Sequence, residues 1–172
     1  FCSSVFGQII VDTSQLAEFY VKNVLLGSGV EVANIKHIGM IGGLGRFVAD
    51  PKIIGFQSGL VLSTGKATSI IGPNDSKSHT SIGTFPESKL LTTQLKRGDK
   101  DLNHLCGGRT IDITVIEFDF VPLNNVIEFN YVFASEEYTE FVDTRYNDDF
   151  GFFLSGPGIK KKINPAGLSD EK

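Results

Sequence analysis

Residues 131–158 of the chain, YVFASEEYTEFVDTRYNDDFGFFLSGPG, carry the pattern that decides its fold. A β-prone run ends at the carboxylates Glu136 and Glu137, and a second aromatic run, residues 150–154, follows an Asn-Asp-Asp triplet at residues 147–149. Aromatic and β-branched residues suit a pleated, half-buried surface. The pattern therefore predicts two strands that bracket an acidic loop, and such a loop suits a cation or a polar ligand.

A β-hairpin is predicted just before this segment. Residues 111–121 and 126–134 are β-prone runs that flank the turn-forming sequence Pro-Leu-Asn-Asn. Closing the hairpin at that turn pairs aromatic residues on one face and puts Glu117, Asp119 and Glu128 on the other, with Asp119 directly across from Glu128. Like charges in such a position repel unless water or a cation separates them. A solvated outer sheet face is the favoured interpretation, and a ligand site is the alternative.

Short β-prone runs broken by glycine recur along the chain, with one helix near its start. The apolar residues between Leu16 and Val24 have helical spacing, and Thr13 or Ser14 is expected to cap the helix. Residues 42–45, Gly-Gly-Leu-Gly, are predicted to form a flexible turn. The remaining predictions are strands at residues 30–38, 59–64 and 150–155 and mainly loop at residues 65–108. This spacing predicts a mainly β fold, a β-sandwich or jelly roll with one short N-terminal helix.

Composition limits the class of protein. The chain has 172 residues, of which 41% are hydrophobic and 21% charged, as expected for one globular domain. A formal net charge of −4 argues against a nucleic-acid partner, which requires a basic surface. No apolar run approaches the roughly 18 residues of a membrane span.

Oxygen ligands for calcium are the candidate metal chemistry, because this ion takes about six to eight oxygens from carboxylates, amides and carbonyls. The candidate metal ligands are Asp99, Asp101, Glu136, Glu137, Asn147, Asp148 and Asp149. The candidate residues for binding another ligand are Glu117, Asp119, Glu128, Glu136 and Glu137. The Asp-x-Asp spacing near residue 100 lacks the EF-hand pattern, and acidic residues are common in turns because they bond their own backbone. Calcium is therefore one hypothesis, and no other cofactor is predicted.

The first residues resemble an export signal. Residues 1–7 are predicted to be the tail of a signal peptide, because residues 5–7, Val-Phe-Gly, fit a signal-peptidase site. The alternative is that residues 5–11 form a first strand. On the first interpretation, residues 8–172 form a single β-rich domain of an exported protein. Cys106 is then an unpaired thiol, whereas retention of Cys2 would allow a disulfide between the two.

A series of motifs follows these predicted elements in order. They are Leu-Gly-Ser-Gly-Val at 26–30, Gly-Leu-Val-Leu-Ser-Thr-Gly at 59–65, Gly-Pro-Asn at 72–74, Gly-Asp-x-Asp-Leu at 98–102, Glu-Phe-Asp-Phe-Val-Pro at 117–122, Tyr-Val-Phe-Ala-Ser-Glu-Glu-Tyr at 131–138 and the run from Asn-Asp to Gly-Pro-Gly at 147–158. In this order, across about residues 8–160, the sequence resembles the choice-of-anchor L family of bacterial surface proteins.

The resemblance implies a secreted or surface-displayed domain, common in Bacteroidota, within a larger parent protein that carries a C-terminal anchor or sorting signal. The family has no established catalytic residues, so the resemblance assigns none to this chain. Family domains continue through further strands beyond the Ser-Gly-Pro-Gly motif. The chain is therefore expected to be the N-terminal part of its domain, with the C-terminal strands missing.

Three hypotheses about function follow. The leading one is a non-enzymatic extracellular domain for adhesion or ligand binding, with calcium dependence as an option and a surface glycan or protein as the partner. The second is a secreted polysaccharide hydrolase that uses Glu117, Asp119 and either Glu136 or Glu137, because such enzymes need paired carboxylates. The absence of Trp argues against it, since sugars stack on aromatic platforms. The third is a structural spacer whose carboxylates bond backbone amides.

Overall fold

The computed structural model of the chain describes residues 9–26, 30–73, 98–135 and 148–159. The elements in these ranges are β1 (Ile10–Asp12), α1 (Ala17–Tyr20) continuing as a π-helical turn (Val21–Leu25), β2 (Val30–Ile38), β3 (Leu44–Val48), α2 (Pro51–Ile54), β4 (Ser58–Leu62), a 3₁₀ helix (Ala67–Ile71), α3 (Lys100–Cys106) and β5 (Val115–Pro122). The strands form two antiparallel sheets, so the predicted mainly β fold is confirmed. The sandwich or jelly-roll arrangement stays a prediction.

The first sheet has the strand order β1-β3-β4. Strand β3 buries Gly45 and Phe47 and exposes Arg46 and Val48, which is the alternation expected of a strand with one face on the core, and Leu44 at its start is buried as well. A side chain at Gly45 would lie 2.7 Å from the carbonyl oxygen of Asp12, so glycine lets β1 approach. The prediction of a flexible turn at residues 42–45 is therefore wrong in its second half, because Leu44 and Gly45 begin β3.

The second sheet pairs β2 with β5 and contains a β-bulge. Val32 faces Phe120 and Ala33 faces Asp119, but the register shifts before Lys36 faces Glu117. Asn34 lies in the shift and has a left-handed backbone (φ 53°), which Asn tolerates better than other non-glycine residues. Because of the extra residue, the inward positions change from even to odd numbers along β2.

The helix near the start of the chain is confirmed, but its cap is not the predicted one. Leu16 occupies the N-cap position and makes no side-chain cap, so the expectation of a Thr13 or Ser14 cap is wrong. Tyr20 is fully buried, and its hydroxyl donates to the Asp12 carbonyl oxygen at 2.8 Å and accepts from the Gln15 amide at 3.0 Å. The helix contacts β2 of one sheet and β3 of the other, so this buried tyrosine lies where the two sheets meet.

The predicted hairpin is wrong in its second strand. Within the described ranges, residues 126–135 do not form a strand, and β5 pairs with β2 instead of with them. Of the predicted strand at 150–155, Leu154 alone makes a β-bridge. In the described parts of the long segment predicted as mainly loop, residues 65–73 and 98–108, the chain forms the 3₁₀ helix and α3. None of the helices in the part of the chain that the structure describes is long and apolar enough to cross a membrane.

Candidate functional site

Stacked aromatic rings join the two segments on either side of the acidic region. Phe129 stacks on Phe152 with ring centroids 4.6 Å apart, and Tyr131 stacks on Phe150 at 5.1 Å. Phe133 lies beyond them, 6.1 Å from Phe150. Since the residue number rises on one segment while it falls on the other, the segments run antiparallel. The prediction that aromatic runs bracket the acidic region is thus realised by ring stacking, not by two regular strands.

The ring stack ends at a polar contact. The Ser135 hydroxyl donates a hydrogen bond to Oδ2 of Asp148. Ser135 is the last described residue before the acidic segment, and Asp148 is the first one after it. Both ends of that segment are therefore held at one place. Glu136, Glu137 and Asn147 lie outside the described residues, so their place in a metal or ligand site stays a prediction.

Helix α3 packs beside the second aromatic segment. A side chain at Gly151 would lie 3.0 Å from Cδ2 of Leu102, a residue of α3. The Gly-Asp-x-Asp-Leu motif at residues 98–102 therefore adjoins the segment that starts at Asp148 and Asp149.

Asp99 has a structural partner at the start of α3. Its Oδ1 accepts from the backbone amides of Asp101 at 2.9 Å and Leu102 at 3.0 Å, the geometry of a helix N-cap. Its own amide donates to Oγ1 of Thr110 at 3.0 Å. Oδ1 of Asn103 accepts from the Thr110 amide at 2.6 Å and from the Thr110 hydroxyl at 2.8 Å. This polar network ties the helix start to the chain that leads into β5.

The carboxylates of β5 lie on the exposed face of the second sheet, as predicted. Oδ2 of Asp119 accepts from Nδ2 of Asn34 at 2.5 Å, and Oε2 of Glu117 lies 3.9 Å from Nζ of Lys36. Glu128 is exposed, but it lies outside any described strand, so it does not face Asp119 in a hairpin. The favoured interpretation of a solvated outer face agrees with this arrangement.

A metal site is not assembled by the described residues alone. Within them, no group of three or more His, Cys, Asp or Glu side chains converges in a way that could hold an ion. Of the candidate ligands, Asp99, Asp101, Asp148 and Asp149 fall in the described ranges. The calcium prediction therefore depends on the residues between Ser135 and Asp148.

The sequence did not lead to a prediction for two residues near these sites, Asn34 and Thr110. Asn34 was not singled out, although Asn adopts a left-handed backbone more readily than most other non-glycine residues. Thr110 was also missed, because its partners are a helix residue and an N-cap that the sequence alone had placed in a loop.

Cys106, the last residue of α3, is a free and exposed thiol.

The described architecture is that of a mainly β domain with short helices, in which stacked rings join the two segments on either side of the acidic region. The family model for the choice-of-anchor L domain matches residues 10–172, and the chain belongs to this family. The resemblance seen in the sequence is confirmed. Comparison with curated proteins and with solved structures finds no match. Membership of the family implies a component of a secreted or cell-surface protein.

Proposed function

We propose that the chain is a non-enzymatic extracellular domain that binds its ligand through the acidic segment between Ser135 and Asp148, with calcium ordering that segment. One observation supports this most directly: the hydrogen bond between Ser135 and Asp148 joins the two ends of the segment at the end of the ring stack. Binding residues are often carried on loops that a rigid scaffold positions.

The stacked aromatic rings contact one another across the two segments. The faces of Phe129 and Phe152, and those of Tyr131 and Phe150, cover one another at stacking distance. The stacked pairs join the two segments on either side of the acidic region. The acidic segment offers carboxylates and amides to the proposed ligand, a surface glycan or a protein, and these are also the groups that calcium selects.

A structural spacer is the second candidate, and specific contacts favour it. Asp99 caps α3, and Asp119 accepts a hydrogen bond from the bulge residue Asn34. Both carboxylates therefore stabilise local backbone geometry. The hydrolase hypothesis has less support, because its two β5 carboxylates, Glu117 and Asp119, each contact a side chain of β2 on an exposed sheet face.

Calcium titration followed by thermal melting tests the proposal. We expect a saturable rise in melting temperature that a chelator reverses, because an ion that binds only the folded state stabilises it by about 2.7 kcal/mol at a concentration one hundred times its Kd. Asp148→Asn should weaken this response. Asp119→Asn is the matched control, since it removes a carboxylate that bonds Asn34, and it should leave the calcium response unchanged.

Three outcomes decide between the candidates. A calcium shift that Asp148→Asn reduces and Asp119→Asn preserves supports the acidic segment as the site. An equal response in all three proteins places the ion elsewhere and rejects this site. No shift in the unmodified chain rejects calcium, and binding to a glycan panel or the lack of it then separates a metal-free binder from a spacer.

A further inference from the structure

His37 lies near the end of the second sheet, beside the hydroxyl group of Thr114. It is half-buried on β2 and faces Ile116 of β5. Its Nε2 lies 3.4 Å from Oγ1 of Thr114. A side chain at Gly39 would come within 2.8 Å of both atoms, so the imidazole is enclosed by the chain that leaves β2. The pKa of His37 is lowered, and burial is the cause.

The charged groups around the imidazole do not offset this burial. Charged residues lie on His37's own strand and on the elements beside it. They are Glu31 and Lys36 of β2, Glu117 and Asp119 of β5, Glu18 of α1, and Arg109 and Asp112 in the chain before β5. Lys36 contacts Glu117 on the opposite, exposed face of the sheet, and Glu18 pairs with Lys22 at 2.6 Å. Among the described residues, none of these charges contributes to the shift of the His37 pKa.

The bulge at Asn34 divides the sheet into two parts. Beyond it, the pairs are Lys36 with Glu117, His37 with Ile116 and Ile38 with Val115. Because a bulge interrupts the ladder, these pairs form a short part of the sheet that is separate from the pairs before Asn34. It leads through residues 39–43 directly into β3 of the other sheet.

We propose that this sheet end, residues 36–38 with residues 115–117, is an acid-labile joint between the two sheets that opens when His37 takes up a proton. Because the folded state holds the imidazole neutral, the open state gains the proton first as the pH falls. Stability of the joint is complete above the ordinary histidine pKa of about 6.5 and is lost as the pH falls from there towards the lower folded value. The inference is independent of the proposed ligand binding.

Amide hydrogen exchange on the full chain tests the joint. Exchange is measured at about pH 7.5 and about pH 5.5, on either side of the ordinary histidine pKa, and corrected for the intrinsic rate. We expect a several-fold increase in opening at residues 36–38 and 115–117 in acid, relative to residues 30–33. His37→Gln should remove the increase. His104→Gln, which alters an exposed histidine of α3, should retain it.

An acid response that persists in His37→Gln, or that is equal on both sides of the bulge, overturns the proposal. If His37→Gln fails to fold, NMR titration of the unmodified chain decides. A His37 imidazole that titrates below the ordinary histidine value of about 6.5, together with opening of residues 36–38 over the same pH range, supports the joint, whereas titration at or above that value refutes it.

Discussion

A methyl group at Gly98 is expected to destabilise the chain much more than a methyl group at Gly107. The two glycines flank α3 and have nearly the same left-handed backbone, with φ 72° and 68°. An added Cβ at Gly107 would meet nothing within 4 Å, whereas at Gly98 it would lie 2.6 Å from Oγ1 of Thr110 and also press on the carbonyl oxygen of that residue. The pair therefore separates backbone strain from steric contact.

The expected loss of unfolding free energy follows from the hydrogen bonds that Thr110 would lose on moving. Both alanine variants carry the cost of a left-handed non-glycine residue, about 1–2 kcal/mol. At Gly98 the shift of Thr110 also weakens its three hydrogen bonds, two to Asn103 and one from the Asp99 amide. Each such bond contributes about 0.5–1.5 kcal/mol net. We expect Gly98→Ala to lower the free energy of unfolding by about 2.5 kcal/mol or more if the three bonds are lost, and Gly107→Ala by about 1–2 kcal/mol.

Urea denaturation followed by far-UV circular dichroism measures both losses on one scale, provided that the m-values agree. Equal losses of unfolding free energy for the two variants would contradict this prediction, because Thr110 would then have moved without losing any stabilising hydrogen bond. A larger loss at Gly107 would mean that the cap at the end of α3 matters more than the network at its start.

Two further predictions use the same denaturation assay. Asp119→Ala should lower the free energy of unfolding by about 0.5–1.5 kcal/mol in the natural sequence. In an Asn34→Gly background it should have almost no effect, because the hydrogen bond between the two side chains is already lost there. Additive losses would show that the Asp119 carboxylate stabilises the chain through another contact. Tyr20→Phe should lower the free energy of unfolding by about 1–3 kcal/mol, since the hydroxyl bonds both the Asp12 carbonyl and the Gln15 amide. Gln15→Ala, which keeps that amide, serves as its control, and equal effects of the two changes would refute a role for the hydroxyl.

Local sequence signals were sufficient where partners are near in the chain. Strand β2 occupies the predicted residues 30–38, because a run rich in Val and Ile ends at Gly39. The helix that contains Tyr20 was likewise visible from its apolar spacing. Helix α3 was missed although Asp99 and Gly107 are standard start and stop residues, because its polar sequence hid the apolar pattern.

Pairing between distant segments could not be predicted in the same way. The turn at residues 122–125 favoured the neighbouring run as the partner of β5, but β2 takes that place with a bulge that keeps its apolar side chains inward. The contact between Asn34 and Asp119 spans 85 positions in the chain, and neither residue carries a local sign of the other. Asp119, which the sequence offered as a ligand residue, thus has a structural contact that its spacing in the sequence did not indicate.

The acidic residues of the family motifs thus have different contacts. Asp99 caps the start of a helix and Asp119 accepts a hydrogen bond from a bulge residue, so exchange of either is expected to lower stability. Asp148 is different, because its described partner is a side chain at the other end of the acidic segment, and an amide at position 148 could still accept from Ser135. A change there can therefore preserve the fold while it removes a charge. For this reason a binding role is best tested at Asp148, with Asp119 as the measure of what a purely structural carboxylate does.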